Sequence, residues 1–526
     1  MKKLLILFLL LCTSITLKAQ ENQIISLNRN TYTYIKQLQQ RGLLSRLNPT
    51  QQPYTRKEVQ DALDELSRTG LNDLERYWVK LIEDEVGIDR ENKDYDKVYV
   101  NGVIGHSLEF NNTINEQGIR PQDDSDVYLL PMAEGQLYVE KDQFIAQMGL
   151  RHDLFYHYDQ RGQYALSRYY VRSEDYYIGF QNDFAKIYLG RFDERWAPID
   201  ELSTVLSNNA RSFDRISMSF GNTWIRFSST LGELDNIGPN DVFNPSKKAN
   251  IGGKQRYLTT HRIDLKITDG LRLTYFDGFL YSSQNSGVPF KYLSPVNFFF
   301  FDRGVRPVDD EYNAFFGGQV WGHYRGVTTN LQVMIDDLQV DRAGSLDEPI
   351  TFSVSHSTHW AGVINNLDFG YETEAVAYQT YNTDQAEGRY LFLQRGIATQ
   401  FTDYLMGSLY LKWYPHQLIR GLTLTPRYTL LAQGEQQIDQ PFVREYPNGD
   451  TIDIILTGTE AVTHRGSLNL FYNPIPEFWI EGELGYNKTF DAGNIPGRSN
   501  EMITGRIEAG FRLELDQAGK LLGLIK

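Results

Sequence analysis

The sequence predicts a mainly β protein: a transmembrane antiparallel β-barrel of about 18 strands, preceded by a small N-terminal helical domain. Three observations point there. An export signal opens the chain. The hydrophobic period changes from 3.6 to 2 near Lys97 and stays at 2 as far as Leu515. Short turns alternate with long polar segments throughout that stretch, as periplasmic turns and extracellular loops do in such barrels.

The N-terminus sets the compartment. Lys2 and Lys3 form a basic region, Leu4 to Leu11 an apolar run, and Leu17-Lys18-Ala19-Gln20 a cleavage zone. The run is shorter than the ~20 apolar residues of a spanning helix, so residues 1–20 read as a signal peptide. Cys12, the only cysteine, lies within it. Leu11 is bulky where a lipidated cysteine is preceded by a small residue, which disfavours a lipid anchor. Once the signal is removed, the chain has no thiol for disulfides, thiolate metal sites or a cysteine nucleophile. Loss of Lys2, Lys3 and Lys18 leaves 49 basic against 67 acidic residues, a net charge of −18. That excludes nucleic acid as the expected partner, since the phosphate backbone asks for clustered cations.

Residues 21–90 carry helical signals and are expected to form a periplasmic helical domain. Thr31 to Gln40 places Tyr34, Ile35 and Leu38 on one face before Gly42. Thr55 and Glu58 form a capping box ahead of Val59, Ala62, Leu63 and Leu66, with Gly70 as terminator. Asn72 and Glu75 repeat the device ahead of Leu74, Trp78, Leu81 and Ile82, with Gly87 as the stop. Three short helices bury too little to stand alone, so they are expected to lean on something larger.

Residues 97–515 are expected to form the barrel, and 516–526 a C-terminal tail. The clearest hairpin sets Ile263, Leu265, Ile267, Leu271, Leu273 and Tyr275 against Asp264, Lys266, Arg272 and Thr274, around Asp269-Gly270. Gly221-Asn222 marks a second turn. In the last strand Ile503, Gly505, Ile507, Ala509, Phe511, Leu513 and Leu515 alternate with Arg506, Glu508, Arg512 and Glu514. An apolar face beside a charged one fits lipid outside and polar packing inside. A soluble sandwich also alternates, but strands of about 9–11 residues and 13% aromatic residues, suited to interfacial girdles, favour the membrane. At roughly two dozen residues per strand, the stretch holds about 16 to 20 strands and encloses a lumen.

Chemistry is sparse. His356 and His359 have metal-like spacing but no adjacent glutamate, so polar surface is the simpler reading. No Gly-x-Ser-x-Gly, phosphate loop or calcium loop occurs, and no enzyme and no cofactor are expected. Asp336-Asp337 should point one carboxylate to each side of a strand. The best binding candidates follow the strand ending near Leu189: Arg191, Asp193, Arg195 and Trp196, then Asn208, with Asn297 in the aromatic run Tyr292 to Phe301. Flat rings suit sugar C–H faces, and planar donors and acceptors suit hydroxyls and carboxylates. The competing expectation is that these residues pack loops into the lumen.

At these segments the chain resembles the Wzi capsule-assembly family of outer-membrane proteins. The landmarks, in order, are Gly42-Leu43-Leu44, Pro53-Tyr54-Thr55, Gly190-Arg191 through Trp196-x-Pro198, and Leu206-Ser207-Asn208-Asn209-Ala210. His261-Arg262, Tyr292-Leu293-Ser294-Pro295 and Ile335-Asp336-Asp337-Leu338-Gln339 follow. Ala197 stands where the family motif often has glycine. The resemblance implies a barrel of about 18 strands with a periplasmic helical bundle against its mouth. It also implies a lectin-like, non-catalytic role in holding capsular polysaccharide. The implied partners are capsular or other surface polysaccharide, outer-membrane lipid and the barrel-assembly machinery. A solute channel is the rival reading, and an outer-membrane hydrolase a more remote one.

Overall fold

The computed structural model describes residues 21–88, 98–112, 127–158, 170–236, 255–283, 294, 312–337, 351–383, 386–440 and 453–515. The expected signal segment with Cys12, the expected tail 516–526, Asn297 and, apart from Ser294, the run Tyr292 to Phe301 lie outside the described residues.

Three helices come first: α1 (Thr31–Gln39), α2 (Arg56–Asp64) and α3 (Asp73–Val86). Both capping boxes form. The Thr55 side chain accepts from the Glu58 amide and the Glu58 carboxylate returns to the Thr55 amide, and Asn72 and Glu75 do the same for α3. Gly42 turns the chain after α1 at φ +78°, and a Cβ there would come within 2.5 Å of the His323 ring on the barrel rim. The helices share a core of Tyr34, Ile35, Leu38, Val59, Leu63, Trp78 and Ile82.

The remaining chain is one closed antiparallel barrel of 18 strands. β1 (Tyr99–Asn111), β2 (Tyr128–Lys141) and β3 (Phe144–Asp153) precede an interrupted β4 (Arg172–Ser173 and Tyr176–Gln181). β5 (Ala185–Arg191), β6 (Asp214–Gly221) and β7 (Ile225–Glu233) are short. β8 (Gln255–Thr268), β9 (Leu271–Ser283), β10 (Tyr312–Tyr324), β11 (Val327–Asp337) and β12 (Thr351–Ile364) are longer. β13 (Leu367–Val376), β14 (Tyr404–Trp413), β15 (Leu422–Gln433), β16 (Ala461–Ile475), β17 (Phe478–Phe490) and β18 (Asn500–Glu514) complete the wall. Closure is by β1 on β18, from Val103 opposite Glu514 to Asn111 opposite Arg506.

The wall is two-faced, as the period of 2 predicts. On β18, Ile503, Ile507 and Phe511 are exposed on the outer face, while Thr504 and Arg512 are buried inside. The 263–275 hairpin divides the same way: Leu265, Ile267 and Leu273 lie outside, and Asp264, Arg272 and Thr274 inside. A register shift at Leu271/Arg272 is the one irregularity in that pairing. Phe144, Phe184, Trp224 and Tyr324 stand exposed beside the short turns and supply an aromatic girdle at that end. This is the architecture of a large outer-membrane barrel.

The helices occupy the short-turn mouth, where charge-assisted bonds fix them to inward-facing wall residues. Both carboxylate oxygens of Asp368 accept from the Arg41 guanidinium, at 2.8 and 2.9 Å. Asp368 also accepts from Tyr414 Oη (3.0 Å) and the Gly362 amide (2.7 Å), so one carboxylate ties helix to wall. Tyr34 Oη donates to Asn473 at 2.6 Å, and Arg56 pairs with Glu514 on the closing strand. On the opposite side Glu58 receives Lys186 Nζ at 2.7 Å and Arg226 at 2.9 Å. A cavity of about 250 Å³ opens beside this cluster, between α2 and the turns at Asn182 and Asn222.

Burial alone would raise the Glu58 carboxyl, but Lys186 and Arg226 outweigh it and hold the group at about 2. A depressed acid stabilises the folded state above its ordinary value of 4.5 and loses that contribution as pH falls toward 2. Glu58→Gln should therefore weaken docking by about 1–3 kcal/mol at neutral pH. It should also flatten the dependence of docking on pH between those values. Hydrogen exchange of α2 measures both; equal protection in mutant and wild type would show that Glu58 contributes nothing.

Candidate functional site

Two long connections fold into the lumen above the helices. The first, residues 192–213, leaves β5 and returns as β6; the second, residues 377–403, joins β13 to β14. They are bonded to each other. Tyr381 Oη donates to the Thr204 carbonyl (2.7 Å), Tyr390 Oη to the Val205 carbonyl (2.9 Å), and the Ser207 amide to the Ile397 carbonyl (3.1 Å). Trp196, Val205, Leu206, Tyr381, Tyr390 and Phe392 join the inward Leu258, Phe276 and Phe315 in one apolar cluster. The wall clamps the first loop through Gln332, which donates to the Trp196 carbonyl (2.9 Å) and accepts from the Thr204 amide (2.8 Å). The helical region joins the same mass through paired backbone bonds between Gln52 and Arg195 (2.9 and 3.0 Å) and through Lys36 Nζ to the Ile199 carbonyl (2.6 Å).

The candidate residues fall into two groups. Arg195, Trp196 and Asn208 come together in the lumen. Arg195 is buried and donates to Asn208 Oδ1 at 2.6 Å, leaving the Asn208 side chain exposed. Burial lowers the Arg195 pKa, and Asp200 and Glu201 partly offset that. Trp196 is 0% exposed. Its Nε1 donates to Glu194 (3.1 Å), its ring packs on Phe276, and the Arg262 guanidinium lies 5.3 Å over it. The indole presents no face to a ligand in this conformation, which is the loop-packing expectation rather than the sugar-stacking one.

Arg191 is elsewhere. It shares parity with the exposed Leu189, so it lies on the outer face, paired with Asp214 at 2.6 Å and stacked over Tyr176. Asp193 is half-buried, within electrostatic reach of Arg215, Glu174 and Arg151. Burial pushes its carboxyl up to about 6, and Arg215 only partly opposes this. Asn297 lies outside the described residues.

Glu194 and Arg256 were not singled out in the sequence. Glu194 accepts from Trp196, Arg215 (3.3 Å) and Thr230 (2.7 Å), and so anchors the loop to β6 and β7. Arg256 is fully buried and donates to the carbonyls of Glu387 and Leu391 in the second loop. Its inward parity, shared with Arg262 and Asp264, was the available signal. Asp336 faces the lumen and accepts from the Tyr381 amide at 2.6 Å. His356 and His359 point to opposite faces of β12: His359 inward to Asp368 (3.2 Å), His356 outward against Tyr371. Among the described residues no three His, Cys, Asp or Glu side chains group as metal ligands.

No family profile matches the chain, and no curated protein matches its sequence. Solved structures do match. Wzi of Escherichia coli, described as an outer membrane protein involved in group 1 capsule assembly and a carbohydrate-binding β-barrel, aligns over 93% of this chain and 99% of its own, with a TM-score of 0.61 at 10% identity. OccK3 (OpdO) of Pseudomonas aeruginosa aligns over 84% and 100%, with a TM-score of 0.45 at 11% identity. OprD of the same organism aligns over 79% and 95%, with a TM-score of 0.44 at 9% identity. The first likeness establishes a shared barrel fold.

Trp196→Ala should cost about 3–5 kcal/mol of loop packing and loosen residues 192–213, read as faster proteolysis within that loop while the barrel stays assembled. Asp193→Asn should do the reverse. A carboxyl raised to about 6 disfavours the folded loop above that pH, and the penalty vanishes below the ordinary 3.8. The amide should therefore slow loop cleavage at pH 7 and change nothing near pH 4. Equal rates at pH 7 would count against a buried charge at 193.

Proposed function

We propose that this chain is an integral outer-membrane protein, exported by a cleaved signal peptide, that binds capsular or other surface polysaccharide without catalysis and aids its attachment at the cell surface. The supporting observation is the filled lumen. The helical region, loop 192–213 and loop 377–403 are hydrogen-bonded into one mass, which leaves the barrel a rigid platform rather than an open conduit. Rigid, pre-ordered polar groups bind sugars with a low ordering cost.

In this reading Asn208, fixed by Arg195, offers its amide to sugar hydroxyls, and Asp193 adds an acceptor. Trp196 and Arg195 act by positioning the loop. Arg191 is assigned to the outer rim of the same site, and Asn297 is carried as a contact from the β9–β10 connection. The carbohydrate binding described for the E. coli protein agrees with this reading.

The test is the ratio of cell-bound to shed polysaccharide. Asp193→Ala with Asn208→Ala should lower it roughly fivefold for each ~1 kcal/mol of lost hydrogen bonding, with heat-modifiable gel mobility unchanged. Intact protein in planar bilayers should conduct little. A wild-type ratio in the double mutant would remove these residues from the site. An unchanged ratio on complete deletion, or large steady conductance, would replace the binding reading with that of a solute channel.

A further inference from the structure

The filling of the lumen leaves a gap between α2 and the wall of β5–β7, the cavity of about 250 Å³ that opens past Asp183 and Asn222. Its lining carries more positive charge than its own acids balance. Lys186 on β5 and Arg226 on β7 donate to the same atom, Glu58 Oε1, at 2.7 and 2.9 Å. The other Glu58 oxygen is taken by the Thr55 amide at 3.0 Å. Among the described residues neither cation has a second acid at ion-pair distance. Arg272 on β9 adds a third charge. It is 5% exposed and donates to the carbonyls of Ser45 (2.6 Å) and Leu47 (3.1 Å) rather than to a carboxylate. The other acids of the lining are committed: Asp61 and Asp183 to Lys57 at the rim, Glu194 to Arg215, and Asp264 to Arg262.

Three cations that share one carboxylate oxygen are under-compensated, and partly buried charge of that kind needs water or an anion beside it. The excess is local, since the whole chain carries a net charge of −15. The buried end of the cavity adds a second requirement. Gln52 is 2% exposed, and its Nε2 donates to the Pro49 carbonyl at 2.6 Å. Its Oε1 has no hydrogen-bond partner among the described residues, and a buried acceptor asks for a donor. Tyr54, Phe184 and Phe192 supply apolar wall between. The complementary occupant is therefore an oxyanion that also carries a hydroxyl group.

We propose that this cavity binds a small hydroxylated oxyanion, a polyol phosphate or a hydroxycarboxylate, from the short-turn end. Lys186 and Arg226 hold the anionic group, and Gln52 Oε1 accepts from a hydroxyl. The space admits several waters or one small molecule, not a polymer chain. The site goes beyond the polysaccharide reading, whose residues Asp193 and Asn208 do not line it. The bound anion supplies counter-charge that Glu58 alone provides in its absence, so it braces α2 against β5 and β7.

The test titrates the full chain in nanodiscs with glycerol 3-phosphate, gluconate, inorganic phosphate and glycerol. Glycerol 3-phosphate or gluconate should bind several-fold more tightly than inorganic phosphate, and glycerol not at all; the better of the two identifies the anionic group. Lys186→Gln and Arg226→Gln should each weaken binding at least about tenfold, with heat-modifiable mobility confirming assembly. Gln52→Leu should erase the advantage over inorganic phosphate. Glu58→Gln gives a readout that a purely structural ion pair would not: saturating ligand should restore the hydrogen-exchange protection that α2 loses in that variant. Failure of both hydroxylated anions to bind the wild type would overturn the proposal. So would binding that survives in both cation variants, or ligand that adds no protection to α2 in Glu58→Gln. None of these ligands is a polysaccharide, so failure here leaves the ratio of cell-bound to shed polysaccharide, and the reading it tests, untouched.

Discussion

Pairing β1 with β18 from Val103–Glu514 to Asn111–Arg506 removes the last open edge of the sheet. In hydrocarbon an unpaired strand edge would leave a row of amides and carbonyls unsatisfied, each costing several kcal/mol. Closure is therefore the condition on which everything else rests, and it fixes the alternation of side chains as well. Once β18 is seated, Ile503 and Ile507 must point out, and Thr504 and Arg512 in. Arg512 then finds Glu134 along the inner wall, on the far side of Gly105 of β1, at 2.6 Å, a pairing between residues far apart in sequence that exists only because the ends have met.

An 18-strand circumference encloses more space than its own side chains fill, and the inward residues are largely charged or hydroxylic. Such groups need either water or partners. This chain supplies partners from three sources. The helices satisfy Asp368, Lys186 and Arg226 at the short-turn mouth. Loop 192–213 satisfies Gln332, Arg215 and Thr230 through its own backbone and Glu194. Loop 377–403 satisfies Arg256 and Asp336. Because the loops also bond to each other, and the helices to the first loop, the filling is continuous. Its mechanical consequence is that a change at Trp196 is felt at the wall through Gln332 and at the helices through Gln52.

The strands, their faces, the capping boxes at Thr55 and Asn72, and the turns at Gly221-Asn222 and Asp269-Gly270 were legible because each depends on residues within a few positions of one another. The inward or outward sense of Arg191 was legible too. It is two residues from the exposed Leu189, and parity alone assigns it to the outer face. The fate of Trp196 was not, because it depends on Phe276, Arg262 and Gln332, which are close in space and distant in sequence. An aromatic beside arginines reads identically whether a sugar or a loop covers the ring.

Parity also carries the last step. Along β8 the sequence Leu258-Thr259-Thr260-His261-Arg262 offers polar residues to both faces, where β18 offers them to one. A strand that is polar on both sides cannot have lipid on either, unless another element intervenes. Inside, Trp196 and Thr50 meet Arg262; outside, Ser294 meets His261. The wall at β8 thus holds polar contacts on both faces, to the helical region and loop 192–213 in the lumen and to Ser294 on the flank. That two-sided polarity, rather than strand count or pairing, is what separates this side of the barrel from the β14–β18 side, where Leu405, Leu409, Leu484 and Ile507 stand exposed on the outer face.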